Sequence, residues 1–395
     1  MNPHLLSLRY ALQNPIMTTD PLIQTFLLSI EGSSHQSLSS NDASHVWCIA
    51  GVGQRSSSFW KTCKEAWDLA QVDQVSRHLI STDHSSVHTE WDDQDPQWQD
   101  PLPAQLNSFK VLLSEQNDQS FDQVHLLLLL GTQLPSQLAP PSLKNCQHFA
   151  SITVIFQNPP IHFLSWSRWS VLAGASLLFN HTNLSSHFAN TLQTQTYTHP
   201  RLLMRLEPTD GFQIQSITQL TPLLHSLAVD SNQSDLKVIV PATSENYRTS
   251  WFIHLKGDFS KGIQEQTLLR CYLQDQVYDI QSSAEFHPHK ESLNPSVAFA
   301  NQLSHRAHCV EGILYAYQQN KLRRVLQYLD QWIKLSLAFE NEECTQWLYD
   351  VKVRFLSLGT FQKEDLYQLI QYGFTPIYHL SSIGQWHYSP YRFND

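Results

Sequence analysis

Residues 124–132 read VHLLLLLGT, and this stretch decides the fold. Five successive leucines leave no polar face for solvent, so a strand here must be covered on both faces, as in the middle of a parallel sheet packed between helices. Two other runs have the same character, VWCIAGV at Val46–Val52 and the run Ile152–Phe156. Because helix-length segments separate the three runs, the sequence predicts a three-layer α/β fold with a mostly parallel sheet.

The length of the chain predicts more than one structural unit. The chain has 395 residues, which exceeds the roughly 250 to 300 residues at which single cores tend to stop growing. Changes in pattern along the chain predict four parts: a mobile N-terminal extension at residues 1–19, an α/β domain at 20–240, a small α+β extension at 241–294 and a C-terminal α-helical subdomain with an aromatic tail at 295–395.

The composition narrows the classes of partner. Charged residues make up only 15% of the chain and the formal net charge is −10, so a phosphate backbone is not generally attracted and nucleic acid is a disfavoured partner. Six cysteines lie far apart with no C-x-x-C pair, which is typical of a reducing compartment and predicts a cytoplasmic location. No window approaches the ~18 apolar residues of a membrane span, so a soluble protein is expected.

The best candidate site is the turn after the run Val46–Val52. Gly51 and Gly53 would let a ligand approach the backbone, and Arg55 would add a guanidinium suited to phosphate or carboxylate. Ser56, a further candidate for the site, Ser57 or Ser58 would cap the next helix. A second strand at 78–81 would end beside Asp83, which suits a ribose hydroxyl. The pair Gly131 and Thr132 would join this site from the end of the leucine strand.

The order of strand, glycine turn, helix and strand followed by an acid resembles the opening of Rossmann-like and FtsZ/tubulin-like nucleotide-binding domains. That resemblance implies a nucleotide or another anion at the carboxyl ends of the strands. The alternative interpretation is an ordinary βα turn, since Ser56 stands where G-x-G-x-x-G requires its third glycine and the chain has only 12 glycines.

Two further clusters contain residue types that can bind metal ions. His305 and Cys309 are spaced i, i+4 on a predicted helix, but zinc needs three or four ligands of defined geometry. The segment 84–103 is rich in carboxylates and also carries Trp91 and Trp98, which either form a lid or attach the loop to the core. It lacks the order of a calcium loop, so a solvated acidic loop is favoured and no metal site is predicted.

Apolar periodicity and the positions of Gly and Pro predict the remaining helices and strands. The segment 22–30 is predicted to be a short strand or helix, 166–179 a buried helix, and a further helix is expected to start near Thr221. Strands are predicted at 202–206, 236–240, 251–255 and 276–280, with a helix or third strand at 264–273. Four helices follow, at 297–319, 322–339, 342–358 and 361–372, and Gly359 and Gly373 are predicted to cap the last two.

No motif names a reaction or a cofactor. The favoured interpretation is a non-catalytic interaction or scaffold protein, in which an α/β platform with degenerate glycine loops carries a helical subdomain that docks a protein partner. A basic start of the second predicted helix, Lys321, Arg323 and Arg324, and exposed aromatics support that interpretation. The alternative is an enzyme or ligand-binding domain that holds an anionic, nucleotide-like small molecule at the strand ends.

Overall fold

The structure is a computed structural model that describes residues 6–12, 23–32, 43–70, 75–81, 87–88, 90–92, 100–115, 121–135, 138–160, 162–180, 184–197, 202–221, 224–227, 229, 235–240, 249–257, 267–273, 276–281, 295–338 and 341–374. The strands are β1 (Leu6–Leu12), β2 (Ile23–Gly32), β3 (Ala43–Val52), β4 (Val75–Ser81), β5 (Val87–His88), β6 (Gln123–Leu130), β7 (Ser151–Phe156), β8 (Ala175–Phe179), β9 (Leu202–Pro208), β10 (Phe212–Thr221), β11 (His225–Leu227), β12 (Leu236–Val240), β13 (Thr249–Gly257), β14 (Thr267–Leu273) and β15 (Gln276–Gln281). The helices are α1 (Ser57–Leu69), α2 (Leu102–Glu115), α3 (Leu143–Cys146), α4 (Phe163–Ala173), α5 (Leu184–Tyr197), α6 (Pro295–Gln318), α7 (Leu322–Ala338), α8 (Glu342–Leu358) and α9 (Lys363–Phe374).

The chain divides into two compact units, and the division differs from the predicted domain boundaries. Unit 1 is formed mainly by Glu31–Leu202, whereas unit 2 takes Ser7–Ile30, Leu203–Val238 and Arg248–Asp395. Residues 20–30 and 203–238 of the predicted 20–240 domain therefore belong to unit 2. The reason is strand pairing, because β2 and β10 both bond to the distant β13 and not to the parallel sheet.

Unit 1 is built around a six-stranded sheet in the order β5-β4-β3-β6-β7-β8. The strands β4, β3, β6, β7 and β8 run parallel, while the short β5 is antiparallel to β4. The leucine run of β6 lies at the centre, and its five leucines are almost fully buried. The prediction of a parallel sheet with a central leucine strand is therefore confirmed.

Helices cover both faces of this sheet. On one face, α1 and α5 share a core cluster with side chains of β3 and β6, including Trp47 and Leu127. On the other face, Phe163 and Trp166 of α4 pack their rings against Phe156 of β7. Because neighbouring residues of a strand point to opposite faces, this arrangement gives three layers, as predicted.

The helix predicted at 166–179 is wrong in its second half. Gly174 ends α4 in the left-handed conformation at φ 60°, and residues 175–179 form β8, which pairs with β7 in parallel. An apolar run of this length fits a buried helix and a buried strand equally well, so periodicity could not separate the two.

Unit 2 contains two sheets of its own. The five-stranded sheet has the order β1-β2-β13-β10-β11 and the four-stranded sheet has the order β12-β9-β14-β15. Within the described residues, β1 lies in the segment predicted to be a mobile extension, and 23–32 is a strand, not a helix. The helix predicted near Thr221 is wrong, because β10 extends to that residue and pairs with β11. The described residues of the predicted 241–294 extension are all strand, and β13 belongs to the first sheet while β14 and β15 belong to the second.

The C-terminal helices α6 to α9 follow the prediction closely. In α6, Ser304 bonds Thr218 of β10 at 2.7 Å and Glu311 accepts from the backbone of Ser226 at 2.8 Å, so this helix lies on the five-stranded sheet. Gly359 ends α8 in the left-handed conformation, as predicted. Gly373 instead lies inside α9, where a Cβ would come within 2.4 Å of Val310 of α6. Among the described helices, none combines the length and the apolar character needed to cross a membrane.

Candidate functional site

The predicted site lies at the switch point of the parallel sheet. From β3 the chain moves to β4 on one side, and from β4 it returns past β3 to β6 on the other side. Open α/β sheets bind ligands outside the carboxyl ends of the strands at such a point. The structure therefore brings Gly51, Gly53, Arg55 and Ser56, which follow β3, together with Gly131 and Thr132, which follow β6.

The two turns bond to each other across this point. The backbone N–H of Gln54 donates to the carbonyl of Thr132 at 3.0 Å, and the N–H of Thr132 donates back to the carbonyl of Gln54 at 2.6 Å. The Thr132 hydroxyl also donates to the Gln54 carbonyl, at 3.0 Å. The site residues thus form a small antiparallel bridge that closes the edge between β3 and β6.

The glycines allow this close approach. A Cβ on Gly131 would lie 2.1 Å from the carbonyl oxygen of Gln54, and a Cβ on Gly53, whose φ is +81°, would lie 2.4 Å from the carbonyl oxygen of Thr132. Both contacts are with backbone, which has no rotamer with which to move away. The absence of side chains at these two glycines is therefore explained by turn-to-turn packing, without a ligand.

Glutamine side chains satisfy the backbone groups around the turn. Gln157, directly after β7, accepts from the N–H of Ser56 at 3.1 Å and donates to its hydroxyl at 2.9 Å. Gln105 of α2 is buried, accepts from the N–H of Gly51 at 3.0 Å and donates to its carbonyl at 2.9 Å. Sequence reasoning missed both residues. Gln157 carried a weak signal, because it is a polar residue directly after a buried parallel strand.

The start of α1 is capped from within the chain. Ser56 accepts from the N–H of Phe59 at 3.2 Å, as predicted for an N-cap residue. The guanidinium of Arg55 donates to the carbonyl of Gly53 at 3.1 Å. An anion at this helix start would compete with the side chains of Ser56 and Gln157 for backbone donors.

The structure describes only part of the predicted acidic loop. Asp83 and Trp98 lie outside the described residues. Trp91 is buried, with its ring 5.0 Å from that of Trp60, and the indole N–H of Trp60 donates to the carbonyl of Asp92 at 2.9 Å. For Trp91, the structure agrees with the interpretation that this segment is attached to the core.

The histidine and cysteine pair of α6 does not form a metal centre within the described residues. No group of three or more His, Cys, Asp or Glu side chains there could hold a metal ion. Cys309 is buried, and burial raises the pKa of its thiol to about 12. Burial, and then the nearby His308, lower the pKa of His305.

A buried polar chain lies at the opposite, amino-terminal edge of the parallel sheet, and sequence reasoning missed it. His45 Nδ1 lies 3.1 Å from His125 Nε2, and His125 Nδ1 lies 2.8 Å from the hydroxyl of Ser151. The two histidines are each 1% exposed and the serine is 5% exposed, so no substrate reaches them. Burial, and then the charge of His45, lower the pKa of His125 to about 3, which keeps the ring neutral.

The helix α8 has apolar side chains on two faces. Its inner face buries Leu348 and Phe355. Its outer face carries a row of three side chains at i, i+4 and i+7 that are 43%, 63% and 58% exposed: Tyr349, Val353 and Leu356. We call these three residues the α8 row.

No protein-family model matches the sequence, and no curated protein matches it. A solved structure described as von Willebrand factor type A from Catenulispora acidiphila matches with a TM-score of 0.58 and 13% identity, over 95% of this chain and 98% of that chain. The ArnB paralog VWA2 from Sulfolobus acidocaldarius matches with a TM-score of 0.43 and 11% identity, over 94% and 98% of the two chains. The pilus adhesin SpaC from Lactobacillus rhamnosus GG matches with a TM-score of 0.29 and 10% identity, over 70% of this chain and 46% of that chain. The chain is therefore similar in fold to a von Willebrand factor type A protein, with the three-layer α/β architecture and parallel sheet of that fold.

Proposed function

We propose that this protein is a non-catalytic interaction or scaffold protein. In this proposal, unit 1 is a platform whose glycine turn holds the fold together, and the C-terminal helices dock a protein partner. No cofactor is part of the proposal. A cytoplasmic location belongs to it, and the six free thiols agree with a reducing compartment.

The closed switch point supports a non-catalytic role. The glycines at this edge accommodate the neighbouring turn, and the backbone donors of Gly51, Gln54 and Ser56 bond to groups of the same chain. An anionic ligand would have to replace bonds that are already formed, and each such bond contributes about 1 kcal/mol to stability.

The exposed α8 row is the observation that carries the proposal. Three large apolar side chains are exposed together on α8, although another face of the same helix already buries Leu348 and Phe355 in the core. Single exposed apolar side chains are normal, but neighbouring ones at helical spacing are typical of a surface that is covered by a partner.

A photo-cross-linking experiment tests this proposal. Benzoylphenylalanine replaces Tyr349 of the α8 row, and in a matched control it replaces Leu172, which is exposed on α4 of unit 1. In extracts of the source organism, we expect one discrete cross-linked protein from position 349 and none from position 172. Equal or absent cross-linking at both positions would reject docking through α8.

The alternative function is a ligand-binding domain or enzyme that holds an anionic, nucleotide-like molecule at Gly51, Gly53, Arg55, Ser56, Gly131 and Thr132, with Asp83. The position of these described residues at the switch point favours it. A thermal-shift screen with phosphate, ATP, GTP and NADH, repeated with Arg55→Ala, tests it. A ligand at 100 times its Kd stabilises by ~2.7 kcal/mol, so a shift that Arg55→Ala abolishes would replace the proposal above.

A further inference from the structure

Three contacts fix the direction of α7 against α8. Ser336 lies 3.5 Å from Cys344, the ring of Trp332 lies 6.0 Å from that of Trp347, and Asp330 pairs with Lys352. The partner on α7 moves back along the chain as the partner on α8 moves forward. The helices are therefore antiparallel, and the end of the α8 row that contains Leu356 adjoins the start of α7.

The start of α7 is basic and exposed. Lys321, Arg323 and Arg324 are all exposed, and Leu322 between them is exposed as well. Within the described part of the chain, no carboxylate forms an ion pair with any of these three cations. We call Lys321, Arg323 and Arg324 the basic cluster. It is a local excess of positive charge on a chain whose net charge is −10.

The same end of the helical subdomain is held together by α6 and by the turn after α8. The hydroxyl of Tyr317 on α6 lies 2.7 Å from that of Thr360, and its ring packs 5.0 Å from that of Phe361. Because Tyr317 precedes the basic cluster by only four residues, the cluster and the C-terminal end of α8 lie at the same end of the helical subdomain.

We propose that this surface, formed by the α8 row and the basic cluster, binds an acidic amphipathic helix of a partner protein. The proposal deepens the proposed function and rests on it. From Tyr349 to Leu356 the row rises by seven residue steps, about 10 Å at 1.5 Å per residue, which matches two turns of a partner helix laid along it. Apolar side chains of the partner pack on Val353 and Leu356, and its carboxylates meet Arg323 and Arg324.

Charge selects this occupant over a lipid surface. An anionic bilayer would extend beyond the basic cluster and face neighbouring parts of a chain whose net charge is −10, whereas a peptide helix meets only the local cations. An apolar row of three residues is also shorter than the faces by which amphipathic helices lie in membranes.

The test uses the full chain and a fluorescein-labelled peptide of 18 residues. The peptide has Leu at i, i+4, i+7 and i+11 and Glu, Gln and Ala elsewhere, and a second peptide replaces each Glu with Lys. By fluorescence anisotropy we expect the Glu peptide to bind at least ~10-fold more tightly than the Lys peptide, and its affinity to fall as salt rises.

Variants locate the binding surface. The double substitution Arg323→Glu with Arg324→Glu is expected to weaken the Glu peptide at least ~10-fold and to strengthen the Lys peptide. Val353→Ser with Leu356→Ser is expected to weaken both peptides. Lys110→Glu with Val111→Ser changes one exposed cation and one exposed apolar residue on α2, and is expected to leave both affinities unchanged.

The opposite results overturn the inference. Equal affinity for both peptides, or affinity that Arg323→Glu with Arg324→Glu does not change, rejects an acidic occupant. Binding to phosphatidylserine vesicles without peptide binding would assign the surface to a membrane, and a dimer in sedimentation velocity that the row variant dissociates would assign it to a second copy. If the protein cross-linked at position 349 is captured equally by the charge-reversed variant, the proposed function stands and this inference fails.

Discussion

The stability of unit 1 should fall in acid because His125 is buried in a neutral form. Burial, and then the neighbouring His45, lower its folded pKa from 6.5 to about 3. Below pH 6.5 the unfolded chain binds a proton at this residue and the folded chain does not. The free energy of unfolding therefore decreases as the pH is lowered from 6.5 to about 3.

The size of this effect follows from the two pKa values. With 6.5 for the unfolded state and about 3 for the folded state, this one residue removes about 1.9 kcal/mol of stability between pH 7 and pH 5. The difference depends little on the folded pKa, because pH 5 lies well above it.

The assay is urea unfolding at a series of pH values between 7 and 5 for the wild type and His125→Gln. The variant keeps a neutral polar side chain beside Ser151 and removes the titrating ring. We expect it to lose less stability than the wild type over this range, by about 1.9 kcal/mol, whatever its stability at pH 7. His148→Gln, which replaces an exposed histidine of the same unit, controls for the loss of a histidine. The same pH dependence in His125→Gln and the wild type would refute the reasoning.

Three further substitutions test the packing. Gly131→Ala should lower the free energy of unfolding, measured in urea, by about 2 to 3 kcal/mol, because its Cβ breaks the bridge between Gln54 and Thr132 at about 1 kcal/mol per bond. An unchanged stability would mean that the turns after β3 and β6 are not packed together. Gly373→Ala should destabilise by about 1 to 3 kcal/mol, although Ala favours a helix, because its Cβ would overlap the side chain of Val310. Adding Val310→Ala should relieve that overlap, and additive effects of the two substitutions would contradict a direct contact. Asp365→Asn should lower the free energy of unfolding by about 2 kcal/mol, since this buried carboxylate accepts two hydrogen bonds from Arg354. As a control, Asp350→Asn replaces an exposed carboxylate and should change the free energy of unfolding by less than about 0.5 kcal/mol.

The sequence predicted those parts of the fold whose packing imposes a local pattern. Uniform apolarity marked β3, β6 and β7, because strands of a covered parallel sheet are buried on both faces. Helical periodicity marked α6 to α9 within a few residues. In unit 2 the sequence also predicted strands at 202–206, 236–240, 251–255 and 276–280, which lie within β9, β12, β13 and β15. The pairing of these antiparallel strands leaves no local pattern, since Leu28 pairs with Trp251 across more than half of the chain.

The candidate site shows a different limit of sequence reasoning. The sequence predicts that Gly53 and Gly131 allow a ligand to approach the backbone, but the same absence of a Cβ allows the facing turn to approach. A sequence shows that a backbone must be approached closely but does not show by what. The amides of Gln105 and Gln157 accept from backbone N–H groups of Gly51 and Ser56 at this turn, and an amide in a helix or loop carries no motif of its own.

The same argument applies to α8, where periodicity predicts an amphipathic helix but not which apolar face the core uses. Leu348 and Phe355 are buried while Val353 and Leu356 stand outside, although all four are apolar residues at helical spacing. Only the positions of α7 and α9 distinguish them, through the pairs Asp330 with Lys352 and Asp365 with Arg354 on the two flanks. Those flanking pairs fix the rotation of α8 about its axis, and so they also fix which of its apolar side chains are exposed. Exchanging an outer apolar residue for a polar one should therefore change binding and leave stability nearly unchanged, whereas the same exchange at Leu348 should cost several kcal/mol, about 2 to 5.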